Sequence, residues 1–209
     1  MSTVRSSTVR LCCIAVLAAL LILMALTPLG YIPIGPLRLT LLMLPVAVGG
    51  AVLGPRAGLV LGTIFGLTSF FTCFGTDPFG AVLLGISPLR TAVMCIVPRM
   101  LAGLLPALLC RLIRQRSAGR AAGVAATALS CALTAALNTL LFLGTLWLLF
   151  GSALANDAQV TALLGGAVTT FAAVLVGLAG VNAIVEVAVN LIAGTAISAA
   201  LQKALAGKL

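Results

Sequence analysis

The 209-residue sequence contains no histidine, three acidic residues (Asp77, Asp157 and Glu186), one tryptophan and one tyrosine. The missing histidine removes the usual acid–base catalyst near neutral pH. Asp77 and Asp157 lie far apart, so no paired carboxylates are in place to hold a metal for phosphate chemistry. No G-x-x-x-x-G-K-[ST] segment is present to cradle nucleotide phosphates. The six cysteines (Cys12, Cys13, Cys73, Cys95, Cys110, Cys131) form no C-x-x-C pair and mostly sit among apolar neighbours. They read as small hydrophobes, and neither a metal site nor a cofactor site is expected. An enzyme is not expected.

Charge is scarce as well, at 7% of residues, whereas 62% are hydrophobic. A water-soluble domain carries roughly a quarter charged residues, so this chain cannot coat a soluble globule. Its apolar runs approach the ~20 residues that a bilayer core requires. The expected class is therefore all-α: one polytopic membrane bundle of about six helices, spanning residues 1–209 as a single domain.

The net charge of +9 is distributed as a topology signal. Arg5 and Arg10 precede the first apolar run, Arg56 sits in a Gly-Pro-Arg turn, Arg111, Arg114, Arg116 and Arg120 fill one polar break, and Lys203 and Lys208 follow the last run. Arg38, Arg90 and Arg99 fall on the opposite side. This alternation places both termini in the cytoplasm by the positive-inside rule. A nucleic-acid surface would need a contiguous soluble basic face, which is absent.

Helices are expected at about 11–27, 39–53, 57–71, 91–114, 121–150 and 181–203. Residues 28–38, with Pro28, Pro33 and Pro36 and two glycines, read as an irregular loop, and 72–90 as a second punctuated loop. Pro98 and Pro106 lie near the start of the fourth helix or kink it. The apolar stretch 160–206 is long enough for two spans. An even number of spans makes 160–180 a short or re-entrant segment at the outer face. The charged start and short first run also fit a secretory signal, but the run reaches Thr27-Pro28 without a small-x-small cleavage pattern.

Gly54, Gly58, Gly62 and Gly66 recur every four residues and define one close-packing stripe. Internal packing is the expected use; a sliding surface for a moving subunit is the alternative. Polar groups are costly within a membrane unless paired or functional, so the few present are informative. Asn182, Glu186 and Asn190 share one face of the last helix, Arg99 follows Pro98, and Asn138 and Thr139 interrupt the fifth helix. Trp147 suits an interfacial anchor. Arg99 and Glu186 either pair with each other or line an outward-facing pocket; both readings stand on sequence alone.

The chain resembles the substrate-binding S component of energy-coupling factor (ECF) vitamin transporters. The resemblance is carried by an Ala-x-x-x-Ala pair on the first helix, LPVAVGGAVLGPRAGLVLGTIFGLTS, SPL…VPRMLAGLLPALL, NTLLFLG and VNAIVEVAVN, over residues 12 to 203. It is strongest towards the branch that includes pantothenate carriers. It implies a bundle that captures a small vitamin at its outer face, then works with a transmembrane coupling subunit and two ATPase subunits in a bacterial cell membrane. It further implies that Ala15 and Ala19 meet the coupling subunit, and that Arg99, Asn138, Asn182 and Glu186, with Arg90 on the same outer side, hold the vitamin. Where relatives often show N-G-I-P-E, this chain has Asn182-Ala183-Ile184-Val185-Glu186, which puts a helix break there in doubt. The rival reading is a structural or assembly bundle without transport activity. A self-sufficient ion-driven carrier would show internal repeats with matched broken helices, and none is visible.

Overall fold

The structure, a computed structural model, describes residues 2–27, 30–34, 37–116, 119–164, 170–175 and 180–206. The chain folds as an all-α membrane bundle carrying one small hairpin. Helix α1 (Ser2–Leu26) leads to strands β1 (Tyr31–Ile34) and β2 (Leu37–Thr40), then α2 (Met43–Leu53), α3 (Pro55–Thr72) and α4 (Pro78–Ile86). Helices α5 (Pro88–Arg116), α6 (Arg120–Asn156), α7 (Ala158–Leu164) and α8 (Phe171–Val174) follow. The last helical stretch comprises α9 (Gly180–Val189), a π-helical turn (Asn190–Gly194) and α10 (Thr195–Ala204).

Among the described residues, four segments are long and apolar enough to cross a bilayer: Ser6–Leu26, Pro88–Arg116, Ala121–Asn156 and Asn182–Ala204. Helix α2 has 11 residues, about 16 Å at the helical rise, so it cannot span a ~30 Å core alone. It is the central helix: all of it except Leu44 and Val52 is buried, and α1, α3, α5, α6 and α10 all contact it. Helix α1 lies at the periphery with Leu11, Val16, Leu23 and Leu26 exposed, a surface suited to lipid.

Proline sets three helix starts. Pro55, Pro78 and Pro88 each occupy the first helical position, where a missing N–H leaves no bond unmade. Gly54 joins α2 to α3 at φ 97°, a backbone region glycine enters readily. The three glycines after it pack inward. A methyl added at Gly58 would overlap the Gly103 carbonyl and one at Gly62 the Arg99 carbonyl; one at Gly66 would lie 2.7 Å from Ile96 Cα. The stripe therefore seats α3 directly on α5, the internal-packing alternative, with Gly54 serving the turn instead.

Several expected boundaries are corrected. Residues 31–40 form an antiparallel hairpin with Tyr31 opposite Thr40 and Ile34 opposite Leu37, in place of an irregular loop. This moves the second helix start from 39 to Met43. The 72–90 segment contains α4, which buries Phe79, Gly80 and Leu83. Proline there starts a helix, whereas only mid-helix proline opposes one. Helix α1 begins in polar sequence at Ser2, before the apolar run, and α6 continues past 150 to Asn156. In the 160–180 stretch, α7 and α8 are short; residues 165–169 and 176–179 lie outside the described residues, as do Gly35, Ser117 and Lys208. The last helix is unbroken at 182–186, and its irregularity lies at the π turn that follows.

Candidate functional site

Helix α5 runs through Pro98 without breaking. A proline nitrogen cannot donate, so the carbonyl four residues earlier, that of Met94, loses its helical partner. Arg99 supplies the replacement: its Nη1 donates to Met94 O at 2.9 Å. Adjacent proline and arginine thus repair the helix and turn the guanidinium inward, where it is buried.

Two aromatic rings receive that charge. The guanidinium carbon sits 4.3 Å from the Phe142 ring centroid on α6 and 5.5 Å from that of Phe65 on α3, within cation–π range. Arg99 Nε is buried without a partner among the described residues. Asn138 lies one helical turn from Phe142 on α6, on the same face, and its buried Oδ1 is likewise unpartnered.

Glu186 is buried on α9, and its Oε1 accepts from the Thr40 backbone N–H at 2.7 Å. This bond ties the end of the hairpin to the last helix. Asn190 Nδ2 donates to the Glu186 carbonyl at 2.9 Å, leaving Asn190 Oδ1 unpartnered. Arg99 and Glu186 lie within electrostatic reach but form no ion pair at 4.0 Å or less. The direct-pair alternative is therefore not the arrangement adopted. Each charge has a neutral protein partner of its own.

Asn182 is half-buried one turn before Glu186 on the same helix. Arg90 stands apart. It is exposed, donates to Leu149 O at 3.4 Å, and lines a hollow of about 520 Å³ with Trp147 and Ser152. Nine residues of helix place it roughly 13 Å along the axis from Arg99. The structure thus places Arg99, Asn138, Glu186 and Asn190 on inward faces of α5, α6, α9 and the π-helical turn, and leaves Arg90 at a rim. Ala15 and Ala19 are exposed on α1, on the side away from Leu17, Ala18 and Leu21, which pack onto the core of α2 and α3. Sequence reading missed Phe65, Phe142 and the Thr40 backbone.

Residues 9–198 match the profile of the ECF transporter substrate-specific component family. The chain belongs to that family. A further similarity is to the pantothenic acid transporter PanT of Lactococcus lactis subsp. cremoris (strain MG1363), 30% identical over 181 residues, which covers 81% of this chain and 80% of that protein. The chain is thus a multi-pass membrane protein and a substrate-binding component for vitamin uptake, of a family of transporter components rather than enzymes; such components work with the partners of an ECF module.

Proposed function

We propose that the chain captures pantothenate at the outer face and delivers it with a transmembrane coupling subunit and two ATPase subunits. One observation carries this reading: a buried arginine and a buried carboxylate each bond a neutral protein group and do not pair with each other, and the buried amide oxygens of Asn138 and Asn190 are unpartnered among the described residues. Pantothenate has a carboxylate for the guanidinium fork, and an amide and two hydroxyls for Asn138, Asn182, Glu186 and Asn190. Phe65 and Phe142 offer the apolar wall for its methyl groups. Arg90 meets the ligand first, at the rim. The PanT similarity points to the same compound. Pantothenate at 100 times its Kd should stabilise the purified protein by about 2.7 kcal/mol. A screen in which pantothenate leaves the melting midpoint unmoved while another vitamin raises it would reassign the cargo. No response to any vitamin would favour the structural bundle.

Ala15 and Ala19 form the contact with the coupling subunit in this reading, because both are small, exposed and on one face of α1. Replacing both by tryptophan should abolish uptake and leave pantothenate affinity of the isolated protein within about twofold, since neither touches the inward cluster. An equal fall in binding would remove the coupling assignment. Both termini lie in the bacterial cytoplasm; labelling a cysteine placed at Gln115, but not one at Asn156, from outside intact cells would reverse that orientation.

A further inference from the structure

At the end of the bundle away from the hairpin, the α2–α3 turn, the start of α1 and the end of α5 enclose a hollow of about 570 Å³. Arg10, Arg56, Arg111 and Arg114 line it from these three places. Among the described residues no carboxylate lines it. The chain's three acidic side chains lie elsewhere: Asp77 and Asp157 precede α4 and α7, and Glu186 is buried against Thr40. Arg114 is steadied by a neutral group, its Nη2 donating to Thr127 Oγ1 at 2.6 Å. Among the described residues, no side chain lining the hollow offsets its four positive charges.

Ala51, Val52, Leu53 and Ala107 supply the apolar part of the lining, beside the four arginines and Gln115. Elsewhere on the same two helices, Leu11 on α1 and Leu105, Leu108 and Leu112 on α5 are exposed apolar side chains suited to lipid. Arg10 immediately precedes the apolar run of α1, which sets the hollow at headgroup level in this reading. Helix α3 also starts here, so its positive dipole end faces the same space.

We propose that this hollow binds the phosphate headgroup of an anionic phospholipid, with its acyl chains lying along α1 and α5. Basic pockets between membrane helices suit such headgroups, and a free phosphate shares their charge but not their tails. The site does not depend on which vitamin the outer face takes.

The test compares phosphatidylglycerol with phosphatidylcholine of the same acyl chains, added to delipidated protein, with retention read by native mass spectrometry and stabilisation by thermal shift. The parent should retain phosphatidylglycerol in preference to phosphatidylcholine. Each basic residue near an anionic surface is worth about fivefold in affinity, so Arg56→Gln with Arg111→Gln should weaken retention roughly thirtyfold. Arg116→Gln with Lys203→Gln removes the same charge from outside the hollow and should leave retention as in the parent. Equal retention of the two lipids by the parent overturns the proposal without recourse to any variant. So does equal weakening in both double variants, which would make the charge a topology signal alone. Inorganic phosphate matching the lipid's stabilisation would replace the lipid with a free anion. Unchanged lipid retention in the hollow variant, with lost assembly on the ATPase-bearing module, would make the surface a protein contact.

Discussion

Arg99→Ala is expected to weaken pantothenate binding about a hundredfold or more, because the carboxylate would lose its charged fork in a desolvated site. Arg99→Lys should recover only part of that loss: lysine keeps the charge but not the planar pair of donors. The competing account is helix repair, since Arg99 also caps the Met94 carbonyl that Pro98 leaves open. Pro98→Ala separates the two. Alanine restores the backbone N–H and with it the missing helical bond. If Arg99 acts only by repair, the Pro98→Ala, Arg99→Ala double variant should bind like the parent. If it holds the ligand, the double variant should stay as weak as Arg99→Ala. A double variant within a few fold of the parent in calorimetry would remove Arg99 from the binding site.

The features legible in the sequence are those in which one residue type at fixed spacing has one physical meaning. Apolar runs of bilayer length and glycines four apart marked the membrane bundle and a close-packing stripe on α3, whose partner α5 only the structure identifies. The hairpin was hidden because Pro33 cannot donate to a ladder and reads as a break, yet it is tolerated in a two-stranded sheet with open edges. Helix α4 was hidden because Pro78 marks a helix start as readily as a loop.

The candidate site was half legible. Arg99, Asn138 and Glu186 stand out because buried polar groups are rare in an apolar chain. Their neighbours do not: Phe65 and Phe142 look like any core aromatic until a guanidinium is found beside them. The bond from Met94 could have been read from Pro98 alone, by asking which carbonyl the proline orphans. The π turn at Asn190–Gly194 has no such signal, because the four-residue polar spacing ahead of it is that of an ordinary α-helix.

The largest structural effect should come from the α3–α5 seam. Gly58→Leu or Gly103→Leu is expected to abolish recovery of monodisperse protein in detergent. Each added Cβ meets the carbonyl of the other glycine, and a main-chain atom inside a helix cannot rotate aside as a side chain can. The helices must move apart instead. In a bilayer, close backbone approach is itself much of what holds two helices together, because lipid tails are as apolar as leucine. Separation would also shift the Arg99 backbone, which Gly62 meets one turn along the same seam. Introducing both leucines should not rescue either, since each Cβ meets a main-chain carbonyl that the second substitution leaves in place. Glycines elsewhere supply the control. Gly123 and Gly144 on α6 have nothing within 4 Å of an added Cβ. Alanine there should leave the melting midpoint unchanged or raise it, as alanine favours a helix over glycine by about 1 kcal/mol. A Gly58→Leu protein that melts with the parent would mean that α3 and α5 do not meet at these glycines.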